Sequence, residues 1–301
     1  MSILPQRILM CYGKTPCTPG SYLERAFGKL GIGVDVIINA VDFSALDTQK
    51  YAAVLFVESP SRPPVAITHR EQIQAPVLFW IHHGENRLAD NLKMCELYRP
   101  DMLLMSHSLH LASRFPAPVR FFPFGVDPDL FYSDIPYAMR RIDVSFVGSR
   151  GHELYQKRDE SLRVIETRLQ GQANLSLRKN IFLQDLSELY GNTKIVFNQT
   201  ADTIKAFNMR IFEGMGCGAL VLTDNTPEQS ELFENGVHYV LYDSQEDMLE
   251  KLRYYLVDHP DEAAKIAAEG QRHVVRNHTY EHRARHVLDL IASLRDKANR
   301  N

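Results

Sequence analysis

Cysteine is scarce in this chain, and Cys11, Cys17, Cys95 and Cys217 stand in no paired spacing. That leaves no zinc-ligand or dithiol motif and suits a reducing cytoplasm. An excess of one charge is missing too. With 34 basic and 37 acidic residues the net charge is −3, so there is no basic footprint for nucleic acid or an anionic membrane. No apolar run reaches the roughly 18 residues of a membrane span, and no transmembrane segment is expected. The first residues lack the charged, apolar, small-residue order of a secretory signal, and no tract is of low complexity. These absences point to a cytoplasmic globular protein with no nucleic-acid partner.

What is present is alternation. At 301 residues the chain exceeds one ordinary α/β core and fits two domains of about 150 residues. Apolar runs at Arg7–Tyr12, Val34–Ala40, Ala53–Ser59, Pro76–His82, Met102–Ser108 and Val119–Phe124 read as buried strands. A helix is expected from Ser21, with Glu24 at the capping-box position. The polar stretch Tyr132–Arg141 reads as a linker, which sets domains at 1–135 and 136–279. A second series follows, with strands near Ile142–Ser149, Leu175–Leu177, Lys194–Asn198, Ala219–Leu222 and His238–Tyr242. Helices are expected at Glu153–Leu169, Gln245–Val257 and Glu262–Arg276, the last interrupted at Gly270. A final amphipathic helix, about residues 280–296, is expected to return to the first domain.

The densest signal is RIFEGMGCGALVLTD, Arg210 to Asp224. A glutamate lies early in a short helix, small residues follow, and an apolar strand comes next. Glycines at such a junction allow close approach to the backbone, and the two oxygens of Glu213 suit a ribose diol. A solvated helix carboxylate beside a packing contact is the plainer alternative.

Several segments carry a resemblance to a known family. DVSFVGS, MRIFEGMGCGALVLTD, SELFENGVHYVLYDSQEDMLEKLRYYL and the tail from Ala267 to Arg283 resemble the C-terminal domain of group 1 glycosyltransferases with the GT-B fold. They are most similar to the branch that includes the CgeB-like spore-maturation proteins. FPFGVDPDLF, ending at Phe131, resembles the exit from that superfamily's N-terminal domain. The resemblance implies an α/β protein of GT-B architecture, with two Rossmann-like doubly wound domains facing each other across a cleft. It implies a transferase that moves a sugar from a nucleotide-diphosphate donor on the second domain to an unidentified acceptor on the first. The donor is a substrate, and no cofactor is expected. Glu213 falls where the superfamily binds the nucleotide ribose. Many retaining members carry a glutamate eight positions earlier, where this chain has Lys205, so the resemblance does not carry over a retaining mechanism.

Negative charge develops on the diphosphate as the anomeric bond breaks, and fixed cations and backbone N–H groups lower that barrier. Arg210 at a helix start is the leading phosphate ligand, with Asn208 and Lys205 just upstream. Gly148, Ser149 and Arg150, after the first strand of the second domain, offer a backbone N–H and a further guanidinium. Lys157 and Arg158 are a weaker version of the same contact, since charges on a long helix are usually its solvated face. The loop Thr223–Glu231 is expected to open a helix near Pro227, with Asp224, Thr226 or Glu228 in reach of sugar hydroxyls. On the acceptor side, WIHHGENR places His82, His83 and Glu85 after a buried strand, where a general base is needed. Gly13, Lys14, Thr15, Ser59 and His107 lie at equivalent strand ends. Asp127-Pro-Asp129 reads as a turn and the His278, His282, His286 series as an exposed stripe, so no metal is expected. Two alternatives use the same pocket: a nucleotide-sugar epimerase or hydrolase of this fold, and a non-catalytic nucleotide-sugar-binding protein.

Overall fold

The structure is a computed structural model and describes residues 7–298 apart from 60, 61, 203 and 205. The apolar runs form strands because side chains on both faces are covered, which continuous rather than alternating hydrophobicity requires. The chain divides into two units, the first ending at Phe124 and resuming at Tyr280, the second spanning Gly125–Thr279.

In the first unit the elements are β1 (Arg7–Cys11), α1 (Pro19–Lys29), β2 (Gly33–Ile37), β3 (Ala40–Asp42), β4 (Val54–Val57), β5 (Ala66–Thr68), β6 (Val77–Ile81), α2 (Leu88–Tyr98), β7 (Met102–Met105) and β8 (Val119–Phe121). Six strands pair in the order β2-β1-β4-β6-β7-β8, all parallel. Short β3 and β5 pair apart from them. Leu9, Phe56, Phe79 and Leu103 anchor the core on one side of the sheet. The first helix begins earlier than expected. Pro19 occupies its first turn, and Ser21 lies inside it, where its hydroxyl accepts from the Thr18 amide at 3.2 Å. Glu24 is no cap: it accepts from the Tyr12 hydroxyl and pairs with Lys14 at 2.9 Å.

The second unit runs β9 (Ile142–Val147), α3 (Gln156–Leu169), β10 (Leu175–Arg178), α4 (Leu183–Gly191), β11 (Thr193–Asn198), α5 (Met209–Gly216), β12 (Leu220–Thr223), β13 (Val240–Leu241), α6 (Gln245–Arg253) and α7 (Pro260–Asn277). Its sheet order is β10-β9-β11-β12-β13, again parallel. The stretch Tyr132–Arg141 lies within this unit. Arg140 is buried and donates to the Thr193 and Cys217 carbonyls, each at 2.9 Å, which ties that stretch to the second core. Helix α7 passes through Gly270 unbroken. A Cβ there would lie 2.4 Å from the His238 carbonyl, so the glycine serves packing rather than helix termination. The loop after β12 forms a single 3₁₀ turn at Gln229–Glu231, not the expected helix at Pro227.

Helix α8 (Tyr280–Ala298) belongs to the first unit. Tyr280 packs on Tyr22 of α1 with ring centroids 5.2 Å apart. Buried Arg283 donates to the carbonyls of Pro123 and Phe124, and Arg295 to that of Tyr51 at 2.8 Å. His278 precedes this helix, so the three histidines do not share one face; His278 lies 3.1 Å from His273, and His286 packs against Phe122. Asp127 shapes a turn, its carboxylate accepting from the Asp129 amide at 3.2 Å. Among the described residues, no helix is long and apolar enough to cross a membrane, and no group of three His, Cys, Asp or Glu side chains could hold a metal.

Candidate active site

Both sheets step outward from their first strand and then jump back past it, so strand order reverses between β1 and β4 and between β9 and β11. Open parallel sheets bind ligands at the carboxyl ends of such strands. In the second unit those ends are Val147 and Asn198, and a set of cationic and amide side chains gathers there.

Arg210 is at its centre. Asn208 caps α5, its side-chain oxygen accepting from the Arg210 amide at 3.1 Å. The Arg210 guanidinium turns to the sheet edge, where Nε donates to the Val147 carbonyl at 2.9 Å and Nη1 to Asn198 Oδ1. It lies 4.6 Å from the Phe146 ring centroid. Gly148 makes this possible, because a Cβ there would meet the guanidinium at 2.5 Å. Asn198 ties the set together: it also accepts from Asn208 at 3.0 Å and donates to the Thr223 hydroxyl at 2.8 Å. Sequence reasoning passed over it, although a polar residue closing an apolar strand at a switch point is a readable signal.

Arg158, the weaker candidate from the sequence, does not lie on a solvated face. It is buried, donating through Nε to the Gln199 carbonyl at 2.9 Å and through Nη1 to that of Ser149 at 3.2 Å. Its guanidinium sits 4.1 Å from the Tyr155 ring and 5.6 Å from Phe146. Burial, and then the like charge of Arg210, bring its pKa down to about 10, which still leaves it cationic at neutral pH. Two guanidiniums thus share the Phe146 ring and are held by carbonyl and amide oxygens, and among the described residues neither forms a close carboxylate pair. Cations fixed in this way keep their charge available to an anion.

Glu213 is buried one turn into α5, and burial raises its pKa to about 7, against the opposing pull of Arg210. Among the described residues its carboxylate accepts no hydrogen bond. The glycines after it serve the protein's own packing: a Cβ at Gly216 would lie 2.7 Å from Val126 and 2.8 Å from the Phe131 carbonyl. Close approach is real here, but the approaching group is the chain itself.

The other donor-side candidates are more committed. Arg150 forms a fork with Glu166 at 3.2 and 3.3 Å and lies 3.7 Å from Asp159. Asp224 accepts from the Thr200 amide at 3.0 Å and from its hydroxyl, and burial raises its pKa. The Thr226 hydroxyl is used inside its own loop, donating to Gln229 at 2.8 Å. Ser149 contributes the carbonyl that holds Arg158. Lys205 lies outside the described residues.

At the first sheet's edge, His82 is buried against Trp80, with ring centroids 4.4 Å apart. Burial, and then His83 and His107, push its pKa well below the ordinary value. It is therefore neutral at pH 7 but a weaker base than its sequence position suggested. His83 is half-exposed, and Glu85 pairs with His110 at 3.1 Å. The residue that organises this edge is Glu58, which sequence reasoning missed. It is buried after β4, and Oε2 accepts from the amides of His82 at 2.6 Å and His83 at 2.7 Å.

The geometry agrees with what the chain is similar to. Residues 135–289 match the glycosyl transferase-like family, which is more than half the chain and includes the Arg158, Asn198, Arg210 and Glu213 set. A search of curated protein sequences returned no significant match. Among solved structures, Anabaena HepE in complex with UDP and glucose is 14% identical, with 95% of this chain and 99% of that one aligned at a TM-score of 0.62. Sucrose-phosphate synthase from Thermosynechococcus elongatus is 12% identical over 97% and 100%, with a TM-score of 0.69. A glycosyltransferase from Rickettsia africae is 12% identical over 95% and 98%, with a TM-score of 0.65. Identities this low speak to fold alone, and the shared fold is the α/β GT-B type. By the match over more than half its length, the chain belongs to the glycosyl transferase-like family and is a glycosyltransferase.

Proposed function

We propose that the protein transfers a sugar from a nucleoside-diphosphate sugar to a hydroxyl acceptor, without a metal, and that the second unit binds the donor. The observation that carries this reading is the pair of guanidiniums, Arg158 and Arg210, fixed by carbonyl and amide oxygens at the second switch point. A diphosphate leaving group gains negative charge as the bond to the anomeric carbon breaks. Cations already in place stabilise that charge more than they stabilise the ground state, with no reorganisation during reaction. Their positive charge performs the task a divalent ion would otherwise perform. Glu213 would hold the ribose diol, which supplies the hydrogen-bond donors its carboxylate lacks among the described residues. HepE, similar in fold, has been solved with UDP-glucose, which makes UDP-sugars the first donors to test.

The acceptor would bind to the first unit, whose switch point carries a buried carboxylate, Glu58, where the second carries guanidiniums. The free cysteines suit a cytoplasmic location, and the motif segments favour kinship with the CgeB-like branch. The test is a thermal-shift panel of UDP-, GDP-, ADP-, CDP- and dTDP-sugars against wild type, Arg210→Ala and Glu213→Ala. One nucleotide should stabilise the native chain by ligand linkage and fail to stabilise either folded variant. No stabilisation of folded wild type by any of them would overturn the donor assignment. Donor breakdown without any acceptor would instead favour a hydrolase or epimerase on the same pocket.

A further inference from the structure

The first unit contains a cavity of about 170 Å³ whose walls include Tyr12, just after β1, and Glu58 and Ser59, just after β4. It therefore sits where that sheet's strand order reverses, the position at which open α/β sheets take ligands. Its size is well below the ~300–1,000 Å³ of drug-sized sites, so it admits one small ring rather than a chain of them.

Its chemistry is unusual for packing space. The Glu58 side chain is 5% exposed, and its Oε2 is occupied by the amides of His82 and His83. Its Oε1 is buried and accepts no hydrogen bond among the described residues. Arg87 also lines the cavity; its Nε is buried, donates no hydrogen bond among the described residues and lies 3.5 Å from Oε1. That separation exceeds the 2.7–3.2 Å of an N–H···O bond. An acceptor and a donor thus stand side by side in a cavity as an ion pair, each withdrawn from water and without a hydrogen bond among the described residues, a costly arrangement unless a ligand completes it.

The completing group must donate to Oε1 and accept from Nε–H. A hydroxyl does both. An ammonium would donate but meet the positive charge of Arg87, and a phosphate or carboxylate would accept but meet Glu58. Apolar walls at Val65 and Met94 leave room for the C–H face of a ring. We propose that this cavity binds a neutral polyhydroxylated group, a monosaccharide ring or a polyol, through one hydroxyl that bridges Glu58 and Arg87. Its identification as the transfer acceptor rests on the proposed function; the binding itself does not.

The test is saturation-transfer-difference NMR on the full chain with glucose, galactose, mannose, myo-inositol and glycerol. Glucose 6-phosphate and glucosamine serve as charged controls, and UDP is titrated into the same samples. At least one neutral compound should bind, and Glu58→Gln and Arg87→Gln should each weaken it tenfold or more. The charged controls should bind less well than glucose, and UDP affinity should stay within twofold in both variants. The Arg87 variant keeps the carboxylate that holds the His82 and His83 amides, so it reads out even if Glu58→Gln folds poorly. No neutral compound binding folded wild type, equal binding in the variants, or preference for a charged control would overturn the proposal. Polyol binding in a protein that none of the five nucleotide sugars stabilises would uphold the cavity and defeat the donor reading instead.

Discussion

A pair of guanidiniums organises one sheet edge and a single carboxylate the other. At the second, two guanidiniums, buried Arg158 and partly buried Arg210, are held by carbonyls and an amide oxygen. At the first, a buried carboxylate is held by main-chain N–H groups. Each edge fixes its charge with backbone dipoles, and Glu58 has in addition an ion pair with Arg87, whose Nε lies 3.5 Å from Oε1. The contrast teaches that fold alone does not assign a role. A parallel sheet provides the place, and one or two residues at the strand ends decide whether an anion or a hydroxyl is welcome there.

The largest expected effect is at the cationic edge. Arg210→Gln should lower kcat/KM by about 10²–10³-fold, the range for removing one preorganised electrostatic donor. Steady-state kinetics with a UDP-sugar would check this, with circular dichroism confirming the fold. Arg158→Gln should cost less, on the order of tenfold to a hundredfold, because Arg210 remains. An Arg158 effect no larger than that of Arg163, elsewhere on the same helix, would break the comparison by returning Arg158 to a packing role.

A smaller effect concerns pH. Burial raises the Glu213 pKa from 4.5 to about 7, so the folded state favours the protonated carboxyl. The unfolded chain ionises first, and stability from this group is full below about pH 4.5 and is lost as pH rises to about 7. Glu213→Gln should remove that slope, so the difference in denaturant stability between variant and wild type should grow across this window by a few kcal/mol and then level off. A flat difference would mean that Glu213 is solvated.

The smallest effects should be at the residues expected from the sequence to supply a general base. Glu85→Gln loses only a partly exposed pair with His110, worth about 1 kcal/mol or less. His82→Gln should leave no inflection missing near pH 6.5 in a kcat/KM profile, because the buried imidazole is already neutral there.

Much of the fold was legible because strands buried on both faces leave continuous apolar runs. Helix α4 was not, since Leu183–Gly191 mixes charge and apolar residues in about two and a half turns, and β3 and β5 are too short and exposed to leave a pattern. Arg210 and Glu213 were readable from their place before a glycine-rich junction. Arg158 was not, because its charge-rich helix looks solvated and only the fold shows it packed between Phe146 and Tyr155. Glu58 sat unnoticed beside Ser59, since a single glutamate after a strand carries no signal until the His82 and His83 amides are seen to converge on it.

The most direct test of the contrast is a calorimetric titration of UDP into wild type, Arg158→Gln, Arg210→Gln and Glu58→Gln. UDP should bind wild type and Glu58→Gln alike and bind each arginine variant at least tenfold more weakly. Loss of UDP binding in folded Glu58→Gln, or undiminished binding in both arginine variants, would contradict the assignment of the diphosphate to the second unit.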